Sequence, residues 1–295
     1  MSQNRSSLLA LIDNAERSGK ADSALPFYAT PASEIAAFAS QHALDISFVY
    51  LVMTFATGDT AVWRRMIEAL PEDADTRLVT VRWISWLWDD PEIGFRARIQ
   101  DSVMRANGDA ICALHHRAIR GEPVARSAWR QARAKLLPSG DSDAVEAAAA
   151  EGIAAAAWDL DRSPGVATDM IYPWKAILFA EIGRDLEWDT SKQKAADERR
   201  NHMVAAARAH AEAAVEKARK LGELSSEQLE NVATSPLYQN AYNQGANDFL
   251  TQFPSELDRY GDRTRVAVAD LYRQGREGLL QQIESLSAAP VSTAT

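Results

Sequence analysis

A single cysteine, Cys112, stands in a chain of 295 residues. That excludes an intramolecular disulfide and any cysteine-rich zinc site. Long apolar runs are missing as well: no stretch approaches the ~20 apolar residues that span a bilayer. The opening, MSQNRSSLLALIDNAERSGK, has too short an apolar run for a secretory signal and lacks a small-residue cleavage site. The expectation is a soluble, cytoplasmic chain without a membrane partner, of bacterial style in its Ala and Arg usage.

Motifs of the common enzyme classes are also lacking. There is no Gly-x-Gly-x-x-Gly opening a helix, no Walker lysine loop, no Gly-x-Ser-x-Gly elbow and no His-Glu-x-x-His. Dinucleotide, P-loop, α/β-hydrolase and zincin chemistries therefore have no foothold in the sequence. The formal net charge of −9, with no separate basic segment, repels phosphate, so no nucleic-acid partner is expected.

What is present is helix. Hydrophobic residues make up 46% and charged residues 25% of the chain, ordinary globular material with an ample core. The strongest signal covers residues 190–222, where no Gly or Pro occurs between 191 and 221 and Ala, Glu, Lys, Arg and Gln dominate. Thr190 and Gln193 have the spacing of a capping box, and Gly222 suits the left-handed residue that closes a helix. Val204, Ala207, Ala211, Ala214, Ala218 and Leu221 form a narrow seam for a second helix of the same chain, with a homodimer contact as the second reading. Residues 144–160, also Ala-rich, are the expected packing partner. Eight basic side chains face four acidic ones on the long helix, a solvated face lying against an acidic remainder.

The remaining segments read as helices too. Ser33 is the expected cap of one, and the apolar run from Ile46 to Met53 reads as a buried core helix rather than a DNA-recognition helix, since nothing on it can address a base edge. Residues 78–88 mix β-branched residues with helical spacing; the spacing favours a helix. A helix is expected over 95–119, another over 124–137 around Trp129, and an apolar one over 168–182 starting or kinking at Pro173. Ser225 with Gln228 suggests a second capping box. A last amphipathic helix has its stripe at Val268, Leu271, Tyr272, Leu279, Ile283 and Leu286, with a disordered tail from about 287. The expected fold is all-α, a multi-helix bundle-like body organised around a scaffold helix at about 191–221. The turn-rich stretch from Pro138 to Asp143 divides it into helical subdomains 1–138 and 139–295.

Four constellations could carry chemistry. Trp83, Trp86 and Trp88 make either an aromatic core cluster or an exposed contact surface, Trp being enriched at interface hot spots. Asp89 and Asp90, with Asn247 and Asp248, have the residue types to hold Mg2+ around a diphosphate; helix capping is the plainer role for the first pair. Cys112, His115 and His116 share a helix face, either as a thiolate pair or as core. Glu198 and His202 are a four-residue pair that a metal would accept, with His116 and His210 the other candidate ligands. The functional expectation is a non-catalytic protein acting through protein–protein contact, of inhibitor or immunity type and needing no cofactor. The alternative is a helical enzyme using Mg2+ at the acidic clusters.

Overall fold

The computed structural model describes residues 2–18, 25–26, 30–136, 143–225 and 231–288. Among these residues the protein is all-α, with no strand. The chain forms two compact units, one of Met1–Ala180 with Ala267–Thr295 and one of Glu181–Val266. Neither division falls at the expected 138–143 turn, which up to residue 142 lies outside the described residues, as do Gln228 of the second capping box and the tail from 289.

The first unit begins with α1 (Ser2–Ser18), α2 (Ala32–Gln41), α3 (Ile46–Ala56), α4 (Thr60–Ala69) and α5 (Thr76–Asp89). Its centre is α3, apolar on all sides and correspondingly buried at Phe48, Val49, Leu51, Val52, Met53 and Phe55. Asp45 caps it by accepting the Ser47 amide, and Thr57 ends it in the left-handed conformation. Helices α2, α4 and α5 pack around it, with α1 against α4. The stretch with β-branched character is helical: Asp75 opens α5 by accepting the Arg77 and Leu78 amides at 3.0 and 3.2 Å.

Helix ends depart from expectation in two places here. Helix α2 starts directly after Pro31 without a side-chain cap, so Ser33 lies inside its first turn. The segment 95–119 is not one helix: a 3-10 turn at Arg96–Arg98 precedes α6 (Ser102–Ile119). Asp101 sets the new start, its carboxylate accepting the Val103 and Met104 amides.

The unit continues through α7 (Arg126–Ala134), α8 (Ala144–Ala155), the short α9 (Val166–Asp169) and α10 (Ile171–Asp185), and closes with α13 (Asp258–Ala288); the two divisions fall within α10 and α13. Pro173 stands in the first turn of α10, where its missing N–H costs nothing. In α13 the stripe residues Leu271, Leu279 and Ile283 are buried, joined by Leu280.

The second unit is built on α11 (Thr190–Leu221) and α12 (Pro236–Gln252), which pack along each other. That identifies the partner of the Ala seam as α12 of the same chain; α8 packs instead on α6, α9 and the 3-10 turn. Ala207, Ala211 and Ala218 are buried as expected, with Val215 beside them, but Leu221, the last residue of the helix, is 60% exposed. The approach is close at Gly245 of α12: a Cβ there would lie 3.0 Å from the Ala207 Cα and 2.6 Å from the His210 Cβ. The start of α11 also differs by one residue. Asp189 is the cap, accepting the Lys192 amide at 2.8 Å, while Gln193 accepts from the Trp188 indole at 3.0 Å and donates to Asp197.

Candidate functional site: an arginine and tryptophan hollow

Helix α7 is short and strongly two-sided. Arg126, Trp129, Arg130 and Arg133 recur at helical spacing, and Trp129 and Ala132 are buried. Trp129 is held against the His115 ring of α6, edge on at 4.7 Å between centroids. Across from α7, the turn that follows α8 brings Ala157, Trp158, Asp159, Arg162 and Ser163 to the same place, and the two segments enclose a hollow of about 410 Å3. The volume lies within the usual range for ligand-sized clefts.

The polar lining is almost entirely of one kind. Arg126, Arg130 and Arg162 form no ion pair among the described residues. Asp159, at the wall, faces Arg77 at 3.8 Å. The indole Nε1–H of Trp129 is buried without an acceptor among the described residues. No side chain caps the first turn of α7, where Arg126 stands. Trp158 is 43% exposed, and the Arg133 guanidinium lies over its ring, 4.0 Å from the centroid. Guanidinium groups match carboxylate and phosphate oxygens in a bidentate fashion, and an exposed indole supplies flat apolar area. The arrangement has the groups to hold an anion.

The tryptophans expected as a contact surface lie elsewhere. Trp83 and Trp88 are completely buried, so they belong to the core and offer nothing to a partner. The Trp83 indole donates to the Gly275 carbonyl at 3.3 Å and the Trp88 indole to Asp109 at 2.8 Å. Gly108 makes room for Trp88, since a Cβ there would sit 2.3 Å from its ring. Trp86 is half-buried, packed over Gly278 and edge on to Trp174.

Asp89 and Asp90 serve local structure. Asp89 pairs with Arg96 at 3.4 Å, and the Asp90 carboxylate accepts the Glu92 and Ile93 amides at the end of α5. Asn247 and Asp248 belong to α12 of the second unit, where the Asn247 carbonyl accepts from Thr251. Glu198 pairs with Lys194 at 4.0 Å on the open face of α11. Among the described residues no three His, Cys, Asp or Glu side chains come together as a metal site requires.

Cys112 and His115 are buried, and burial sets their chemistry. Desolvation, with the charge of Asp89, pushes the Cys112 thiol up to about 12, which removes the thiolate a nucleophile needs. Burial lowers His115 to about 4, and its Nε2 lies 2.8 Å from the Ala156 carbonyl, which a neutral imidazole N–H satisfies. His116 is half-buried, 3.1 Å from the Ser85 hydroxyl, and is lowered by burial and by Arg120.

Compared with known proteins, the chain matches no family model, no curated protein and no solved structure. No helix among the described residues is long and apolar enough to cross a membrane.

Proposed function

We propose that the protein is non-catalytic and acts through protein–protein contact, in the manner of an inhibitor or immunity protein, with the hollow between α7 and the turn after α8 as its contact surface. The observation that carries this is the set of three guanidinium groups, without carboxylate partners among the described residues, around an exposed Trp158. Elsewhere Arg64, Arg96, Arg117, Arg199 and Arg273 are ion-paired within the chain. In a chain of net charge −9, three guanidinium groups unpaired among the described residues make a local site of opposite sign. The partner it fits presents a carboxylate-rich segment with an apolar or aromatic residue to lie on Trp158. Arginine and tryptophan are the side chains most often found at the energetic centre of such contacts.

The test is binding of an acidic oligopeptide, hexaglutamate bearing one tryptophan, to the full chain and to the triple variant Arg126→Glu, Arg130→Glu, Arg162→Glu. The wild type should bind saturably, more weakly as salt rises, and the variant should lose the interaction while keeping its helical circular dichroism. Equal binding by both proteins would overturn the assignment of the surface.

A further inference from the structure

A second hollow lies in the first unit, far in sequence from the arginines, where α1, the end of α2, the end of α4 and the start of α5 meet. It has a volume of about 270 Å3, and its walls include Leu8, Leu44, Ile67 and Leu70. We propose that it binds a small zwitterion with an apolar body, that is, a hydrophobic α-amino acid.

Three observations converge on it. The first is His42, which lines the hollow at 6% exposure and whose Nδ1 has no hydrogen-bond partner among the described residues. A buried polar atom left unpaired costs free energy, and a bound ligand is one of the ways such an atom is satisfied. The second is backbone strain. Ala43 and Asp73, both lining the hollow, hold φ values of 51° and 60° in the left-handed region; Ala43 does so where it closes α2, and backbone of this kind recurs at ligand sites.

The third is the pairing of charges at the walls. Arg5 donates to the Glu68 carbonyl and makes no ion pair, and Asp73 carries none either among the described residues. Asp75 uses one carboxylate oxygen on the α5 amides. A plain anion would meet the two carboxylates unfavourably, and a plain cation would meet the guanidinium. A molecule with both charges answers Arg5 with its carboxylate and Asp73 with its ammonium. The leucine and isoleucine walls then take an apolar side chain, and the imidazole of His42 is left to bond the ligand's polar head. The volume lies just under the ~300 Å3 at which drug-sized clefts begin, which suits a single amino acid.

The experiment is isothermal titration of the full chain with L-leucine, L-isoleucine, L-methionine and L-phenylalanine. Leucinamide and 4-methylpentanoate, which lack the carboxylate and the ammonium respectively, serve as truncated analogues. At least one of the amino acids should bind one to one, with the truncated forms at least tenfold weaker. Arg5→Gln and Asp73→Asn should each weaken binding by a similar factor, and His42→Phe, which fills the space, should abolish it. The analogues test the idea on the unaltered protein, should a variant fail to fold. Absence of saturable binding to all four amino acids would overturn the proposal. So would a truncated analogue binding as well as its parent, or undiminished affinity in folded Arg5→Gln and Asp73→Asn.

Discussion

The guanidinium of Arg133 lies 4.0 Å from the centroid of the Trp158 ring. The contact joins α7 to the turn after α8, and it holds a large indole half in solvent where the hollow opens. A cation over an aromatic face contributes roughly 0.5–1 kcal/mol at an exposed position, so Trp158→Ala should lower stability in urea by at least that much, the half-buried indole adding lost apolar contact. Its effect on recognition should be larger: affinity for an acidic, tryptophan-bearing peptide should fall about tenfold or more, the scale of a hot-spot side chain. Trp158→Phe, which keeps a ring for Arg133 to cover, should retain most of the affinity. Titration calorimetry on the three proteins checks both parts.

The seam between α11 and α12 rests on small residues, and Gly245 is its tightest point. A methyl group there would stand 3.0 Å from the Ala207 Cα, which is backbone and cannot swing aside. Gly245→Ala should therefore separate the helices and cost about 1–3 kcal/mol, the usual range for overpacking. Gly261, in the first turns of α13, has open space around its Cβ position. Gly261→Ala should move stability the other way by ~0.5–1 kcal/mol, because alanine is the better helix former. Thermal melts of the two variants should shift in opposite directions.

Asp189 and Thr190 separate two accounts of how the long helix begins. The Asp189 carboxylate accepts the Lys192 amide, and Thr190 is the first helical residue. Asp189→Ala should cost ~1 kcal/mol, the ordinary worth of an N-cap, and Thr190→Ala a few tenths at most. Equal losses at both positions, measured by urea denaturation, would favour the Thr190–Gln193 box instead.

This pair illustrates where the sequence can be read and where it cannot. The long helix is legible because Ala, Glu, Lys and Arg make helix over 32 residues almost regardless of context, and its Ala seam has the period of a helix pair. Its first residue is ambiguous because two capping side chains stand side by side, and only the tertiary position of Trp188, which occupies Gln193, decides between them. The identity of the seam's partner was open for a related reason. Small residues on α8 advertise close approach, but the notch that answers α11 is a lone glycine, Gly245. The tryptophans show the same limit. Nothing near Trp88 in sequence says that it is buried; the space for it comes from Gly108, on the next helix. Half of the arginine hollow is visible in RSAWRQAR at 126–133, whose basic residues flank Trp129 at helical intervals. The other half, Trp158 and Arg162, arrives from a separate segment, so no local pattern marks the site.

His115 makes the stability of the first unit depend on pH. It is 1% exposed, its Nε2 is bonded to the Ala156 carbonyl, and Trp129 covers its ring. Burial lowers its pKa from the ordinary 6.5 to about 4. The folded state therefore holds the imidazole neutral over a range in which the unfolded chain takes up a proton. Above about pH 6.5 both states are neutral and the His115 contribution is complete; as the pH falls from 6.5 toward 4 the unfolded state is favoured progressively, by up to about 3 kcal/mol. Burial lowers His42 and His116 as well, so both act in the same direction. Urea denaturation at pH 7, 5.5 and 4.5 should show stability falling in that order. His115→Gln, which keeps a donor for Ala156 but does not titrate, should start lower at pH 7 and lose less on acidification. A variant that tracked the wild type in parallel across the three pH values would assign the acid sensitivity to other groups.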